Sequence, residues 1–199
     1  MEQAALGLSF PLADAAVAPA PSVPLLPALA MRLKEGDHGA LEGFIHLTRP
    51  GAFRLACHLL GDYHGAQDVL QDAYLKVLQE IHSLRNPGGV KTWFFRIVHR
   101  RCLEALRKRR PTSLSEIQDH DLIDDPQLDL LTGRKMAVRA ALALLSEADR
   151  SILLLRSCLD LSYEEISETL QIPMGTTKRR LCEARRRLVR RLMDAEEMV

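Results

Sequence analysis

Residues 161–181 read LSYEEISETLQIPMGTTKRRL and predict two helices joined by a short turn. Ser162 opens a capping box, because its hydroxyl can accept a hydrogen bond from the backbone N–H of Glu165 while the Glu165 side chain reaches back. The first helix is therefore expected to begin at about Tyr163 and to end near Leu170. A short connection containing proline and glycine then leads to a basic helix. This order of elements is the helix-turn-helix arrangement, in which the second helix enters the major groove of DNA.

The second helix of this pair has a narrow apolar stripe. We expect Thr176 to cap it and the helix to run to roughly Leu192. The stripe that faces the core consists of Thr177, Leu181, Ala184, Leu188 and Leu192. The remaining positions are mostly Lys and Arg, so the helix presents a basic face away from the core.

The basic face holds candidate DNA contacts. The N-terminal part of a recognition helix meets base edges, and the residues in that part are Thr176, Lys178, Arg179, Cys182 and Glu183. Lys and Arg favour guanine, and Glu183 could accept a hydrogen bond from a cytosine amine. Arg186 and Arg190 are expected to contact phosphates. A basic helix that is only solvated is the alternative interpretation.

The composition favours an all-α protein. The chain has 199 residues, of which 47% are apolar and 27% charged, and these values exclude a collagen-like or wholly disordered chain. Only five Phe, three Tyr and one Trp are present, so helices packed through aliphatic stripes are favoured over an aromatic-rich sandwich. We predict two small helical domains joined by an acidic flexible linker.

The formal net charge of +1 conceals two basic blocks. Residues 91–110 carry eight Lys or Arg against one Glu, and residues 176–191 carry the same numbers. Residues 112–130 between them hold six acids and no Lys or Arg. This pattern indicates two modules that face nucleic acid, separated by a linker.

These observations divide the chain into four segments. Residues 1–30 are rich in proline and alanine and contain no Lys or Arg, which argues against a signal peptide. Met31 is an alternative start. The predicted segments are a disordered leader over residues 1–35, a first domain over 36–111, an acidic linker over 112–134 and a second domain over 135–199.

The middle helix of the first domain has two different faces. One face is apolar and predicts a core contact through Ala66, Val69, Leu70, Ala73, Tyr74, Val77 and Ile81. The opposite face places Leu75 among Asp68, Gln71, Asp72 and Gln79. A leucine surrounded by acidic and polar acceptors suits the docking of a basic partner helix. A solvated acidic face with one stray leucine is the alternative.

Segment 91–110 predicts a helix with a core face and a basic face. The core face consists of Phe94, Val98, Cys102, Ala105 and Leu106. Arg96, Arg100 and Arg107 fall on the other side, and Trp93 projects toward it. An aromatic ring beside arginines suits unstacked bases, because stacking is worth roughly 1–3 kcal/mol per base while arginines hold phosphates. Alternatively, Trp93 only fastens this helix to its neighbour.

The four cysteines have no spacing typical of a metal site. Cys57, Cys102, Cys158 and Cys182 form no C-x-x-C pair and no cluster with histidine. We therefore expect free thiols in the cytoplasm, no metal and no cofactor. No apolar stretch approaches the roughly 18 residues that a membrane helix requires, so no membrane insertion is expected.

Three stretches resemble one known family. Residues 65–78 (GAQDVLQDAYLKVL), 92–110 (TWFFRIVHRRCLEALRKRR) and 141–191 look like regions 2 and 4 of a bacterial sigma-70 family sigma factor. The short two-domain form resembles the extracytoplasmic-function (ECF) subgroup. The likeness extends over roughly residues 37–192.

The resemblance implies three binding surfaces. The clamp helices of the largest subunit of core RNA polymerase would bind Asp68, Gln71, Asp72 and Leu75. The minus-ten element of promoter DNA would be recognised and melted by Asn86, Lys91, Trp93, Arg96, His99 and Arg100. The minus-thirty-five element would be read by the residues already named on the last helix, from Thr176 to Arg190. The resemblance also implies an anti-sigma factor as a partner and no catalytic residue, because polymerase supplies the chemistry.

Some positions depart from the family pattern. His99 and Arg100 stand where the family commonly has arginine and asparagine, so the minus-ten preference is expected to differ. Gln171 replaces the usual turn glycine, where a left-handed backbone costs on the order of 1 kcal/mol. Arg179 replaces a common serine and Glu183 a common basic residue, which predicts an unusual upstream sequence.

Two other functions remain open at this point. A stand-alone helix-turn-helix regulator would bind a palindromic site tightly without polymerase. A redox-responsive regulator would use Cys182 at the DNA face. The acidic residues between Glu116 and Asp129 could also screen the basic faces until polymerase binds, although simple solvation of a linker is the favoured explanation.

Overall fold

The computed structural model describes residues 25–109 and 132–196, and this part of the chain contains eight α-helices and no β-strand. The helices are α1 (Leu25–Lys34), α2 (Ala40–Leu60), α3 (Tyr63–Glu80), α4 (Val90–Arg109), α5 (Thr132–Ala143), α6 (Glu147–Ser157), α7 (Tyr163–Leu170) and α8 (Met174–Glu196). Two 3-10 turns, Ile81–Ser83 and Pro87–Gly89, separate α3 from α4. The prediction of an all-α fold is confirmed. The acidic linker was predicted over residues 112–134. Its residues 112–131, which include the acids of the screening hypothesis, lie outside the described residues.

Helices α1 to α4 form an N-terminal unit around an aromatic core. Phe44 and Phe94 are fully buried and meet edge to face, with ring centroids 5.3 Å apart. Tyr74 stacks on Phe94 at a centroid distance of 5.3 Å, and its hydroxyl lies 3.0 Å from Oγ1 of Thr48. Burial of each Phe side chain contributes roughly 2–3 kcal/mol, so these rings fix α2, α3 and α4 against one another.

Helix α1 corrects the predicted leader. Residues 25–34 are helical, and Leu26, Leu29, Ala30 and Leu33 are buried, so the expectation of disorder over residues 1–35 is wrong for this stretch. Pro27 lies in the first turn, where a backbone N–H has no partner within the helix. The proline content led to the prediction of disorder, although the apolar residues of this stretch recur at helical spacing. The structure gives no description of residues 1–24.

Two adjacent residues, Gly61 and Asp62, separate α2 from α3. Gly61 ends α2 with a left-handed φ of 65°, and its N–H donates to the carbonyl of Cys57. Asp62 then caps α3 by accepting hydrogen bonds from the backbone N–H groups of His64 and Gly65, at 3.1 Å each. Gly61 adopts the left-handed conformation that reverses the chain direction. The Asp62 carboxylate accepts hydrogen bonds from backbone N–H groups in the first turn of α3, which have no partner within the helix.

Helix α7 forms as the capping box predicts. Ser162 Oγ accepts from the backbone N–H of Glu165 at 3.1 Å, and the backbone N–H of Ser162 donates to Glu165 Oε2 at 2.7 Å. The helix runs from Tyr163 to Leu170, and Gln171 follows with a left-handed φ of 55°. The expected strained turn is therefore present, with a glutamine where glycine would fit without strain.

Helix α8 begins three residues earlier than predicted. Its first residue is Met174, and the carbonyl of Pro173 accepts the first helical hydrogen bond from the N–H of Thr177 at 2.9 Å. Thr176 is therefore not the cap. Pro173 occupies the cap position, because its carbonyl accepts that first helical hydrogen bond.

Helices α5 to α8 form a C-terminal unit that packs against the N-terminal unit, with α7 on α4 and α6 on α2. The Arg150 guanidinium links the two. It donates to the carbonyls of Leu142, Ala143 and Leu145 at the end of α5, at 3.0, 2.7 and 3.2 Å. It also donates at 3.3 Å to the carbonyl of Leu59 at the end of α2. The sequence predicted two modules but no contact between them.

Candidate polymerase and nucleic-acid interfaces

The outward face of α3 presents its acidic and polar residues to solvent. Asp68, Gln71 and Asp72 are exposed, and Leu75 between them is 52% exposed. The opposite face of α3 is buried as predicted, through Ala66, Val69, Leu70, Ala73, Val77 and, on the following turn, Ile81. An open groove of about 220 Å³ between α2 and α3 adjoins Gln71. The predicted docking residues therefore share one accessible face.

The recognition face of α8 is also accessible. Thr177, Leu181 and Ala184 are fully buried or nearly so, and Leu188 and Leu192 are half-buried, which confirms the predicted stripe. Lys178, Arg179, Cys182, Arg186 and Arg190 are exposed, and Thr176 and Glu183 are half-buried. The structure thus brings the predicted DNA-contacting residues of this helix onto one surface.

Glu183 is already engaged by cations of its own helix. Its carboxylate accepts a hydrogen bond from Arg179 Nη1 at 3.1 Å and pairs with Arg187 Nη2 at 3.6 Å. Arg187 also donates to Oδ2 of the buried Asp149 at 2.6 Å, which ties α8 to α6. Sequence reasoning missed Asp149 and Arg187, because no local pattern links residues 38 positions apart. The engaged carboxylate is less available to a cytosine amine than we expected.

The basic face of α4 is only partly accessible. Asn86 and Arg100 are exposed, whereas Lys91, Trp93 and Arg96 are half-buried. Asn86 Oδ1 accepts from the backbone N–H of Gly88 at 2.9 Å and so caps the 3-10 turn before α4. The core face of α4 forms as predicted, with Phe94, Val98 and Cys102 fully buried. By helical spacing, Trp93, Arg96 and Arg100 share one side of α4, whereas Asn86 precedes the helix and Lys91 falls on another side.

His99, which was predicted to contact the minus-ten element, is buried in this structure. The residue is 8% exposed, and its Nε2 lies 2.9 Å from Oγ of the buried Ser151 on α6. Burial lowers the pKa of His99 to about 4, so the ring is neutral at pH 7. The helical pattern of α4 gave no signal of this, because the residue that covers His99 lies 52 positions away in the chain.

The four free thiols differ in their exposure to solvent. Cys57 and Cys102 are buried, and burial raises their thiol pKa to about 11 and about 12. Cys158 is half-buried and Cys182 is exposed on α8. Within residues 25–109 and 132–196, no group of His, Cys, Asp and Glu is arranged to hold a metal ion. No helix in those ranges is long and apolar enough to cross a membrane.

Comparisons with known families match both units. Residues 44–112 match the family model for sigma-70 region 2, and residues 135–188 match the model for sigma-70 region 4. The ECF RNA polymerase sigma factor SigW of Bacillus subtilis is 26% identical over 178 residues, which cover 82% of this chain and 94% of SigW. The ECF RNA polymerase sigma factor SigE of Mycolicibacterium smegmatis is 32% identical over 77% of this chain and 63% of its own length.

Solved structures share the fold. CnrH in complex with the cytosolic domain of CnrY has a TM-score of 0.67 at 20% identity, covering 86% of this chain and 98% of CnrH. The sigma factor RpoE in complex with the anti-sigma factor NepR, from Bartonella quintana, has a TM-score of 0.64 at 24% identity over 76% of this chain and 96% of RpoE. With both conserved regions present in order, the chain belongs to the sigma-70 family of RNA polymerase sigma factors, in the ECF subgroup.

Proposed function

We propose that this sigma factor docks on core RNA polymerase through α3, reads the minus-thirty-five element with α8 and captures the minus-ten element with the basic face of α4. The observation that carries the proposal is the position of the family matches. Region 2 contains α3 with its exposed Leu75 and the basic helix α4, and region 4 contains the basic helix α8. Each surface then has a partner whose chemistry suits it.

The α3 face supports docking on a basic helical partner. Leu75 offers apolar area, and Asp68 and Asp72 flank it with negative charge. An apolar anchor inside a charged rim combines affinity with orientation, because the anchor loses water on binding while the charges steer the approach. The clamp helices of the largest polymerase subunit are the partner that the family assigns to such a face.

The two DNA surfaces have different roles in the proposal. Lys178 and Arg179, near the start of α8, meet base edges of duplex DNA, and Arg186 and Arg190 hold phosphates. Trp93 on α4 stacks on an unpaired base, and Arg96 and Arg100 hold the strand. Strand separation then draws on stacking and phosphate contacts, while polymerase performs the synthesis. The sigma factor itself contributes no catalytic residue and acts in the cytoplasm.

An inhibitory partner is also part of the proposal. One solved relative of the same fold is in complex with an anti-sigma factor. We propose that a protein of that class controls this chain by covering one of its binding faces.

The test is run-off transcription with purified bacterial core polymerase, genomic fragments and the full chain. We expect transcripts that require the protein and that fall by about tenfold or more with Asp72→Lys, since reversal of an interfacial charge costs about 2 kcal/mol or more. Glu42→Lys, which makes the same charge change at an exposed position on α2, is the matched control and should transcribe normally. Specific DNA binding without any transcript would instead identify a stand-alone regulator.

A further inference from the structure

We propose that Lys34, on α1, is a positioning residue for capture of the minus-ten strand, because it fixes the direction of the loop that leads into α4. This minus-ten loop consists of residues 84–89. It contains Asn86, which the family resemblance assigns to the minus-ten element. The inference rests on the proposed function and extends the minus-ten machinery to α1, which lies outside α4 and its loop.

The ammonium group of Lys34 bonds to the backbone of the minus-ten loop. Its Nζ donates to the carbonyl of Leu84 at 2.7 Å, in a partly buried position and across 50 positions of sequence. Lys34 is the last residue of α1, and α1 also packs against both 3-10 turns between α3 and α4. A hydrogen bond with a charged donor is roughly twice as strong as a neutral one, so this contact constrains the carbonyl firmly.

The orientation of the Leu84 carbonyl determines where the loop goes next. The side chain of Leu84 is buried, which anchors the residue, and its backbone is extended with φ −66° and ψ 108°. Because ψ sets the orientation of the carbonyl and of the peptide group that follows, the bond from Lys34 holds ψ at this value. The direction in which Arg85 and Asn86 leave the core is thereby fixed.

Three further hydrogen bonds shape the loop and join it to α4. Asn86 Oδ1 accepts from the N–H of Gly88 at 2.9 Å, and the Asn86 carbonyl accepts from the N–H of Gly89 at 3.0 Å. Thr92 Oγ1 donates to the carbonyl of Gly89 at 2.9 Å. These bonds connect near neighbours in sequence, so they set the shape of the loop and move with it. The bond from Lys34, by contrast, ties the loop to a separate helix.

The loop presents a hydrogen-bonding group beside an aromatic ring. Asn86 is exposed and its Oδ1 is engaged by Gly88, so its side chain offers N–H donors to an acceptor on a base. Trp93, in the first turn of α4, supplies a ring for stacking. A base that meets both groups requires the loop and the helix in one relative arrangement. A loop that is held in this arrangement before binding avoids the cost of ordering it.

A direct contact between Lys34 and a phosphate is a different role, and salt dependence separates the two. Each phosphate contact on a single strand contributes about 0.7 to the slope of log K against log salt concentration. A residue that acts through the Leu84 carbonyl releases no counterion from the DNA. Removal of a positioning lysine therefore weakens binding and leaves the slope unchanged.

The test uses the holoenzyme, formed from the full chain and purified bacterial core polymerase, because the proposed function places strand capture in that complex. The probe is a fluorescein-labelled promoter fragment obtained from the run-off test, with its minus-ten region left unpaired by mismatches in the template strand. In a series of fragments, each nontemplate base of this region is replaced in turn by an abasic site. Fluorescence anisotropy gives the affinity for each fragment.

The variants separate the Lys34 contact from its charge. Lys34→Met removes the donor, Lys34→Arg keeps a cationic donor, and Lys34→Gln shortens the side chain and is read in the same way as Lys34→Met. Arg32→Met is the matched control, since it removes the same charge from the same helix and its partner Asp37, at 2.6 Å, lies in the turn after α1. Urea unfolding and the affinity for core polymerase are measured for every variant, so a loss of structure is distinguished from a loss of strand capture.

We expect an abasic site at one or more minus-ten positions to weaken wild-type binding about tenfold, which is within the range that stacking of one base provides. In Lys34→Met, the intact fragment should bind about fivefold more weakly and the abasic penalty should fall to about twofold. The reason is that a loop in the binding arrangement for only part of the time lowers the apparent affinity. The salt slope should equal that of the wild type. Lys34→Arg should restore most of the abasic penalty, and Arg32→Met should behave as the wild type does.

An undiminished abasic penalty in Lys34→Met and Lys34→Gln overturns the proposal. A salt slope that is smaller by about 0.7 also overturns it, because Lys34 would then contact a phosphate directly. Weaker docking on core polymerase, by the same factor as the weaker binding to DNA, would overturn it by showing a general structural role. If no abasic site weakens binding by the wild type, the minus-ten role of α4 and its loop is refuted, and the inference fails with it.

Discussion

The basic segments of α4 and α8 hold equal charge but meet different neighbours. Each contains eight Lys or Arg residues against one Glu, over residues 91–110 and 176–191. On α8, Arg179 pairs with Glu183 of the same helix, and Arg187 also pairs with Asp149 of α6 within the same unit. At the start of α4, the acids come from α7 in the other unit, and Glu168 lies 76 residues from Thr92. The first contact leaves the helix surface open, and the second buries part of it.

This difference shows that charge and periodicity predict which face of a helix points away from the core of its own unit. They do not predict whether another unit packs against that face. A helix whose polar face meets only side chains of its own unit remains available to DNA. A helix whose polar face meets another unit becomes available only when that unit moves. The following substitutions probe the two situations, starting with the largest expected effect.

The packing of the C-terminal unit on the N-terminal unit depends on Arg150. Arg150→Ala removes the donor that satisfies three carbonyls at the end of α5 and the carbonyl of Leu59 on α2. We expect the free energy of unfolding to fall by about 3 kcal/mol, since several partly buried acceptors lose their partner together. Urea denaturation followed by circular dichroism measures this.

Arg101→Ala is the control for that experiment. Arg101 pairs with Glu104 on the surface of α4 at 3.0 Å, and such a pair contributes about 0.5 kcal/mol or less. Losses of similar size in Arg101→Ala and Arg150→Ala would show that Arg150 does not fasten the units.

A second prediction concerns the stability of the protein in acid, through His99. Burial lowers the pKa of His99 to about 4 in the folded chain, whereas an unfolded histidine titrates near 6.5. As the pH falls below 6.5, protons bind the unfolded state first, so stability declines until the folded state also protonates near pH 4. Above 6.5 the effect is absent. Between pH 7.5 and 5, we expect the wild type to lose about 2 kcal/mol that His99→Gln does not lose.

Urea titrations of both proteins at the two pH values check this. His58, whose pKa burial also lowers, is present in both proteins, so its contribution cancels in the comparison. Parallel losses in the wild type and in His99→Gln would contradict the assignment of the buried neutral ring between α4 and α6.

The elements with local signals were predictable from the sequence. The capping box at Ser162, the glycine and aspartate before α3 and the stripe of α8 each depend on residues within a few positions of one another. Two local signals led to wrong predictions, each for a physical reason. Pro27 is tolerated in the first turn of α1, and α8 begins at Met174, before the threonine that was predicted to cap it.

The contacts between the units were not predictable. Arg96 and Glu168 are 72 residues apart, and His99 and Ser151 are 52 apart. No periodicity or spacing rule connects such positions, because their contact depends on how two complete units pack. The sequence therefore identified the candidate residues of α4 and α8 about equally well, and only the structure distinguished the covered face from the open one.

A third prediction concerns Glu183 on the exposed face of α8. Glu183→Gln removes the negative charge that pairs with Arg179 and Arg187. We expect roughly two- to fivefold tighter binding to a random-sequence duplex at low salt, because repulsion from phosphates is lost and Arg179 is freed, while Arg187 stays paired with Asp149. The gain should shrink as salt is raised. Fluorescence anisotropy with a labelled duplex measures both.

Asp194→Asn makes the same charge change near the end of α8 and is the matched control. An equal gain in both variants would mean that net charge alone is responsible and that the position of Glu183 is irrelevant. Weaker binding by Glu183→Gln to the protein's own promoter would instead support direct reading of a cytosine by Glu183.

The smallest expected effect concerns the turn that connects α7 to α8. Gln171 has a left-handed φ of 55°, which strains a residue with a Cβ by about 1 kcal/mol. Gln171→Gly removes that strain but makes the unfolded chain more flexible, so we expect a net gain in stability of about 0.5 kcal/mol. Gln67→Gly, at an exposed right-handed position within α3, should instead lose about 1 kcal/mol. Opposite signs in urea denaturation would establish that the glutamine strains the turn, whereas a loss in both would show that contacts of the Gln171 side chain outweigh its backbone strain.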